Sequence, residues 1–167
     1  METAYIGLGS NLGDREKNLR EAASRLGRIR GTQLRRASSL YYTEPVGGQP
    51  QPWYFNAVQE VGTALVPEEL LEELQKIEAA MGRTRGKRDA SRIIDLDILI
   101  FGDRVIRSDP LTVPHPELPW RRFVLEPLAE ISKDIVCPGA GGTVEELMRR
   151  LTDTHKVFKK GPFHESR

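Results

Sequence analysis

The stretch RIIDLDILIFGD, Arg92–Asp103, alternates in the way that a buried β-strand does, yet it places two aspartates two residues apart. Successive strand residues point to opposite faces. The face toward the core would carry four aliphatic residues: Ile94, Leu96, Ile98 and Ile100. The opposite face would carry the remainder, including both carboxylates: Ile93, Asp95, Asp97, Leu99 and Phe101. A pair of like charges in an apolar strand calls for a physical reason.

Outward from this strand, the apolar spacing and turn residues predict the order strand–helix–strand–strand–helix–strand. The elements are a strand at Tyr5–Leu8, a helix after an Asp14 N-cap, extended segments at Gln33–Tyr42 and Tyr54–Leu65, a helix from Pro67 to Gly82, and the aspartate strand. Shorter helical pieces follow around Leu125–Ile131 and Thr143–Leu151.

This order is that of the ferredoxin-like split βαβ sandwich, an α+β fold. We expect one domain over residues 1–158, with helices covering one face of a mostly antiparallel sheet and the proline-rich C-terminal third packed around it. Residues 159–167 read as a polar C-terminal tail. The fold class alone does not identify a function, because this architecture hosts many chemistries.

The composition limits the classes of function. The 167 residues include 25 Lys+Arg and 24 Asp+Glu, so the chain has no basic surface excess for nucleic acid. Its single cysteine cannot form an internal disulfide, which favours a reducing, cytoplasmic compartment. We expect no signal peptide and no membrane helix, because no basic segment with a long apolar run opens the chain and no apolar window is long enough.

The aspartate pair has two interpretations. Asp95 and Asp97 would lie about 7 Å apart, and their repulsion at an effective dielectric constant of about 20 is roughly 2 kcal/mol. They could be exposed edge residues that each pair with an arginine. Alternatively, they hold a divalent cation, since Mg²⁺ takes one or two protein carboxylates together with waters and substrate phosphates.

A basic segment before the strand favours the cation. Five cationic residues fall within ten positions: Arg83, Arg85, Lys87, Arg88 and Arg92. Cations beside a carboxylate pair suit a polyphosphate, whose oxygens the metal bridges while the arginines neutralise the rest. Binding of RNA is a weaker interpretation, because the segment lacks aromatic residues for base stacking.

The sequence lacks the motifs of several other classes of nucleotide-binding and catalytic site. GLGSNLG, residues 7–13, lacks the Gly-Lys-Ser/Thr ending of a phosphate loop, and its glycine spacing differs from the dinucleotide fingerprint. We interpret it as a strand-to-helix turn. The sequence has no Ser/His/Asp or Cys/His constellation, and its three histidines lack metal-ligand spacing.

Seven segments spread over nearly the whole chain resemble those of a known protein family. The matching segments, in order, are AYIGLGSNLGD from Ala4, SSLYYTEPVG from Ser38, WYFNAV from Trp53, PEELL and IEAAMGR from Pro67, RDASRIIDLDIL from Arg88, LTVPHP from Leu111 and RRFVLEPLAEI from Arg121. They resemble the 6-hydroxymethyl-7,8-dihydropterin pyrophosphokinases of folate biosynthesis. The resemblance implies transfer of the β,γ-pyrophosphate of ATP to the hydroxymethyl group of the pterin, with release of AMP.

The resemblance also implies roles for residues. Asp95 and Asp97 would hold two Mg²⁺ ions, and the catalytic residues would be Arg83, Arg92 and Asp97. The ATP-binding residues would be Gln75, Glu78, Arg85, Arg88, Ile98 through its backbone, Thr112, His115 and Arg121. The proton acceptor for the substrate hydroxyl stays open between Asp97, a metal-bound hydroxide and water.

The implied pterin site has a physical basis as well. Asn56 lies beside aromatic residues in a strand, where a buried amide is costly unless it is hydrogen-bonded. Its donor and acceptor match the amide-like edge of a pterin. Tyr54 and Phe123 would sandwich the flat ring, although Phe123 taken alone favours core packing. Backbone groups of Thr43 and Val46 would complete the hydrogen bonds.

The chain departs from the family pattern at three positions. Asp89 stands where many members have tryptophan, Pro110 where arginine or lysine is common, and Pro116 where an aromatic residue is common. The loop between Arg85 and Arg92 is one residue shorter than usual. We expect weaker or differently organised loop closure with activity retained.

The sequence leaves two alternatives to this enzyme. One is a ferredoxin-like module that binds nucleic acid or a regulatory ligand, and the other is a family member without activity. For the enzyme we expect a cytoplasmic monomer with ATP and the dihydropterin as its partners, and neither nucleic acid nor membrane.

Overall fold

The computed structural model describes residues 1–47, 50–82 and 92–164. These residues form an α+β fold. The strands are β1 (Glu2–Ser10), β2 (Thr32–Ala37), β3 (Ser39–Thr43), β4 (Tyr54–Thr63), β5 (Asp95–Phe101), β6 (Ile106–Arg107), β7 (Thr112–Val113), β8 (Val136–Cys137), β9 (Gly142–Thr143) and β10 (Val157–Pro162). The helices are α1 (Arg15–Gly27), α2 (Pro67–Ala80), α3 (Arg122–Ser132) and α4 (Val144–Arg150).

The main sheet is antiparallel and has six strands. Its order is β10-β3-β4-β1-β5, and β2 also pairs with β4. The ferredoxin-like α+β prediction is confirmed, and the predicted second extended segment is divided between β2 and β3. This topology places β5, the aspartate strand, at one edge of the sheet beside β1.

The first two helices begin and end where local chemistry predicts. Asp14 accepts a hydrogen bond from the backbone N–H of Lys17 at 3.2 Å, which caps α1. Pro67 opens α2, where its missing N–H costs no helical bond. Gly82 follows α2 with φ of +86°, a conformation that glycine adopts without a Cβ penalty.

Helices cover both faces of the sheet, which corrects the prediction that they cover one face. The first core lies against α1 and α2 and includes Ile6, Leu19 and Leu74. The second core lies on the other face against α3 and α4, and it includes Tyr5 and Leu125. The central strands are apolar on both faces, so the sheet requires a second layer.

A register shift in β5 changes the predicted alternation of its side chains. Tyr5 pairs with Ile100 and Ile6 pairs with Ile98, so Leu99 is an extra residue on β5. Ile100 therefore lies in the second core with Leu99, and Phe101 lies in the first. The prediction that Ile100 shares a face with Ile98 is wrong, because a bulge reverses the two-residue period.

The predicted polar tail over residues 159–167 needs correction as far as it is described. β10 pairs with β3, and Phe163 is 1% exposed in the first core. Arg20 Nε donates a hydrogen bond to the Phe163 carbonyl at 3.3 Å. The lysines of β10 lie on an edge strand, where charged residues are common. Because these lysines make the segment polar, its composition resembled that of a solvated tail.

Within the described ranges, no helix combines the length and the apolar character needed to cross a membrane.

Candidate active site

A cavity of about 240 Å³ opens on the face of the sheet that carries the second core. It is lined by parts of β1, β4 and β5, by the loop after β3, by the loop after β7 and by the first turn of α3. These parts are distant in the sequence, and the antiparallel pairing of the three strands brings them together.

Gly7 and Gly9 form part of the cavity wall. Both lie within β1, so the interpretation of GLGSNLG as only a strand-to-helix turn is corrected. A Cβ atom on Gly9 would lie 2.6 Å from Asn56 Oδ1, closer than real Cβ contacts allow. Two glycines at alternate strand positions leave one face without side chains, and this spacing was the signal that the sequence interpretation missed.

The five residues predicted to bind the pterin all line this cavity: Thr43, Val46, Tyr54, Asn56 and Phe123. Asn56 is 8% exposed, and its Nδ2 donates a hydrogen bond of 2.5 Å to Thr43 Oγ1. Phe123 is half-buried and also packs against the second core, so both of its predicted roles are compatible.

Asp95 and Asp97 both line the cavity, and each faces a glycine across the β1–β5 pair. Asp95 is opposite Gly9, and Asp97 is opposite Gly7. A cross-strand neighbour normally brings its Cβ to within about 5 Å. With glycine opposite, β1 places no side chain beside either carboxylate; Leu99 packs over Gly7, and Asn56 packs over Gly9.

The carboxylate pair suits magnesium. Across the parts of the chain that the structure describes, no three His, Cys, Asp or Glu side chains converge into a group that could hold a metal ion. Two aspartates are enough for Mg²⁺, since this ion keeps several waters and binds substrate phosphates in its other positions. The side chain of Asp95 is 29% exposed and Asp97 is exposed, so both can reach a solvated ion.

Arg92 lies beside the carboxylates and is held by its backbone. Its Nε is 3.6 Å from Asp95 Oδ1, and its side chain is 14% exposed. Arg92 N–H donates to Asn11 Oδ1 at 2.7 Å, and the Asn11 N–H donates to the Arg92 carbonyl at 3.0 Å. Asn11 Nδ2 also donates to Gln51 Oε1 and to the Pro52 carbonyl, so this buried amide joins two loops. Sequence reasoning did not single out Asn11.

Two predicted ATP-binding residues, His115 and Arg121, line the same cavity as the carboxylates. His115 Nδ1 accepts a hydrogen bond from the Glu117 N–H at 3.1 Å, which leaves the proton of a neutral ring on Nε2. Arg121 Nε lies 3.3 Å from Glu117 Oε2. Glu117 therefore fixes both side chains.

The other described ATP-binding candidates lie outside the lining of the cavity. Gln75 is exposed on α2, and Thr112 lies in β7, where its hydroxyl donates to the Ser108 carbonyl at 3.4 Å. Glu78 is 6% exposed and accepts a hydrogen bond from the Leu96 N–H at 2.9 Å. This contact gives Glu78 a structural role against the edge of β5.

The side chain of Ile98 lies in the first core, but its backbone lies at the sheet edge. The Leu96 N–H points away from β1, toward Glu78. Backbone groups of alternate strand residues point to the same side, so those of Ile98 also point outward.

The other three predicted arginines, Arg83, Arg85 and Arg88, lie outside the described residues, as does Asp89.

Comparison with known proteins identifies the family. Residues 5–133 match the family described as 7,8-dihydro-6-hydroxymethylpterin-pyrophosphokinase (HPPK). The chain belongs to this family. A Haemophilus influenzae HPPK, named 2-amino-4-hydroxy-6-hydroxymethyldihydropteridine pyrophosphokinase, is 43% identical over 162 residues, which are 97% of this chain and 100% of that protein. The Bacillus subtilis HPPK of the same name is 47% identical over 132 residues, 79% of each chain.

Solved structures show the same fold in a longer protein. A crystal structure of wild-type Plasmodium falciparum HPPK-DHPS with STZ-DHP matches with a TM-score of 0.72 and 16% identity. The match covers 89% of this chain and 43% of that one, so the chain spans less than half of the structural relative.

Family membership identifies the activity. HPPK enzymes transfer a pyrophosphoryl group from ATP to hydroxymethyldihydropterin in folate synthesis, and this chain is a pyrophosphokinase of that kind. The alternative of a nucleic-acid or regulatory ligand-binding module is not favoured. The substrates are ATP and the pterin, and an ATP-using enzyme of this kind needs Mg²⁺.

Proposed function

We propose that transfer of the β,γ-pyrophosphate from ATP to 6-hydroxymethyl-7,8-dihydropterin takes place in the cavity between β1, β5 and the start of α3. The observation that carries this proposal is that one cavity contains both a buried amide, Asn56, and the Asp95–Asp97 pair. The amide suits the acceptor, and the carboxylates suit the metal-bound donor. AMP is the nucleotide product.

The pterin occupies the buried end of the cavity. Asn56 offers the donor and the acceptor that the amide-like edge of the ring requires. Tyr54 and Phe123 hold the flat ring by offset stacking, and backbone groups of Thr43 and Val46 complete its hydrogen bonds. Burial of these polar groups favours a ligand that pairs with them and disfavours one that leaves them unpaired.

Asp95 and Asp97 would hold two Mg²⁺ ions. When bound, these ions would neutralise phosphate charge and polarise the β-phosphorus. Asp97 is the more exposed of the two carboxylates, which supports its contact with a solvated ion.

The arginines neutralise the triphosphate. Arg92, whose Nε lies 3.6 Å from Asp95 Oδ1, would donate hydrogen bonds to phosphate oxygens. Arg121 and His115 bind ATP from the opposite loop, and the outward backbone of Ile98 contacts the adenine edge. Arg83, Arg85 and Arg88 contribute further positive charge, and Gln75, Glu78 and Thr112 border the nucleotide from outside the cavity. We also propose that the enzyme is a cytoplasmic monomer that binds neither nucleic acid nor membrane.

The test is to incubate the protein with Mg²⁺, ATP and the dihydropterin and to identify the nucleotide product. AMP with pterin diphosphate supports the proposal. ADP would indicate ordinary phosphoryl transfer, and the absence of turnover would indicate a family member without activity; either result overturns it.

Asp97→Ala tests the site directly. We expect turnover to fall by about a hundredfold or more, the scale for loss of an electrostatic group at a reacting centre. The fold should persist, because Asp97 is exposed. The matched control is Asp103→Ala, which removes another exposed aspartate just beyond the far end of β5 and should leave turnover unchanged. Equal activity in both variants would contradict the proposed metal site.

A further inference from the structure

Residues 152–157 connect two walls of the cavity from outside it. One wall is the start of α3, which carries Phe123, and the other is the loop after β3, which carries Glu44. The family match ends at residue 133, so this connecting segment lies beyond it. We call residues 152–157 the C-terminal bridge.

Asp153 joins the bridge to the first turn of α3. Its Oδ2 accepts a hydrogen bond from the Arg122 N–H at 2.9 Å, and its carbonyl accepts from Nε and Nη2 of the Arg122 guanidinium, both at 3.2 Å. The N-cap residue of α3 is Arg121, whose side chain has donors and no acceptor. Asp153, although 31 positions away in the sequence, therefore supplies the hydrogen-bond acceptor and the negative charge that stabilise a helix N-terminus.

The same carboxylate is held in place by its own segment. Asp153 Oδ1 accepts hydrogen bonds from the His155 N–H at 2.9 Å and from the His155 ring Nδ1 at 2.5 Å. The Asp153 side chain is only 7% exposed. Burial raises the pKa of this carboxyl, but the hydrogen bonds from Arg122 and His155 outweigh burial and lower it, so Asp153 is charged at neutral pH.

The other end of the bridge is tied to the opposite wall. The Glu44 N–H donates to the Lys156 carbonyl at 2.9 Å, and the Lys156 N–H donates to Glu44 Oε2 at 2.9 Å. Val157, which follows, pairs with Thr43 at the start of β10. Thr43 in turn accepts the hydrogen bond from Asn56. The bridge thus connects the α3 wall to the residues around the buried amide.

We propose that Asp153 is a positioning residue for the pterin: through the bridge it sets the separation between Phe123 and the loop of residues 43–46. This inference rests on the proposed pterin site. Asp153 lies outside the cavity lining and acts only through Arg122 and the first turn of α3. Loss of the Asp153 carboxylate releases the start of α3, so Phe123 no longer stacks in place on the pterin ring. Asp95 and Asp97 of β5 keep their positions.

The test variant is Asp153→Asn, because the amide has one acceptor oxygen where the carboxylate has two. We expect the KM for the pterin to rise about tenfold, since loss of a hydrogen bond to a charged group is on that scale, with a much smaller change in the KM for ATP because Glu117 holds Arg121 separately. Asp134→Asn, at an exposed aspartate after α3, is the matched control and should change neither constant. Parallel increases in both KM values, or no change, would overturn the proposal.

A double-mutant cycle separates positioning from general stability. Phe123→Ala should raise the KM for the pterin, and adding Asp153→Asn to it should cause little further rise, because the wall has lost the side chain that Asp153 positions. If the rise in the pterin KM of the double variant equals the product of the two single rises, Asp153 does not act through Phe123.

Arg122→Ala serves if Asp153→Asn fails to fold. It removes the guanidinium contacts with the Asp153 carbonyl and keeps the backbone N–H bond, so a smaller rise specific to the pterin is expected. An unchanged pterin KM in this variant counts against the proposal. Wild-type protein that forms no AMP would instead refute the proposed function, and the two failures are therefore distinguishable.

Discussion

Gly9 and Asn56 are paired across β1 and β4, and they show how one missing side chain shapes the site. The Asn56 amide occupies the space where a Cβ of residue 9 would stand. The same glycine is opposite Asp95 on its other side. A single small residue thus makes room for the amide proposed to bind the pterin, and it pairs with a strand residue whose carboxylate is proposed to bind Mg²⁺.

Gly9→Ala should displace Asn56, because a new Cβ would lie 2.6 Å from its Oδ1. We expect a rise of about tenfold or more in the KM for the pterin and a loss of about 1–3 kcal/mol in the free energy of unfolding, the usual cost of overpacking. Steady-state kinetics and chemical denaturation measure both. Gly27→Ala, at the remote end of α1, is the control, and an unchanged pterin KM in Gly9→Ala would contradict the proposed role of Asn56.

At the scale of elements, α3 is held at both ends, at its start by the C-terminal bridge and at its end by the sheet. Asp153 holds its start, and Glu130, in its last turn, accepts hydrogen bonds from the Ser39 N–H and hydroxyl, both at 2.7 Å, and from the Tyr41 hydroxyl at 3.0 Å. Lys159 Nζ of β10 lies 3.0 Å from Glu130 Oε2. The helix that carries Phe123 is thereby tied to β3 and β10.

Glu130→Gln should reduce the free energy of unfolding by about 1–3 kcal/mol at neutral pH, the scale of hydrogen bonds to a charged group. Burial raises the pKa of Glu130, but the hydrogen bonds from Ser39, Lys159 and Tyr41 outweigh it and lower the pKa below its ordinary value of 4.5. A lowered folded-state pKa stabilises the fold above the ordinary value, and the stabilisation disappears as the pH falls through the folded-state value.

The difference in stability between wild type and Glu130→Gln should therefore shrink in acid. Chemical denaturation at neutral pH and below the ordinary glutamate pKa measures it. Glu145→Gln, which removes a carboxylate of an exposed pair on α4, is the control and should show little effect at either pH. A difference that persists unchanged in acid would contradict the assigned contacts.

At the scale of the whole molecule, the C-terminus completes the first core. β10 adds the edge strand beside β3, and the chain then turns so that Phe163 is buried against the side of the sheet covered by α1 and α2. The bridge that precedes β10 supports the cavity on the other face. The end of the chain therefore contributes to both layers of the fold.

Phe163→Ala should lower the free energy of unfolding by about 3–5 kcal/mol, because it removes a fully buried aromatic side chain. Phe158→Ala is the matched control, since Phe158 lies in β10 just before Phe163 and is 52% exposed, and its cost should stay near 1 kcal/mol or less. Thermal and chemical denaturation compare the two variants. Equal effects would mean that the C-terminal segment is the solvated tail that its composition indicates.

The local sequence pattern was enough to predict those elements whose structure is decided by residues a few positions apart. Asp14 and Pro67 begin the first two helices as predicted, because caps and first-turn residues act over three or four positions. The alternation of β5 was readable as far as Leu99, and it failed at Ile100, because a bulge at Leu99 opposite β1 reversed the faces. A bulge depends on the partner strand, and the pattern within one strand does not reveal its partner.

The sequence by itself determined the α+β class, the paired aspartates of β5, the lack of a large net charge and, by resemblance, the residues expected at the site. Only the tertiary structure decided that Gly7 and Gly9 lie opposite those aspartates, that Asn11 holds Arg92, and that Asp153 reaches the start of α3. The physical reason is distance along the chain. Each of these contacts joins residues that are 31 to 90 positions apart, and only the packing of the sheet and its two helical layers brings them together.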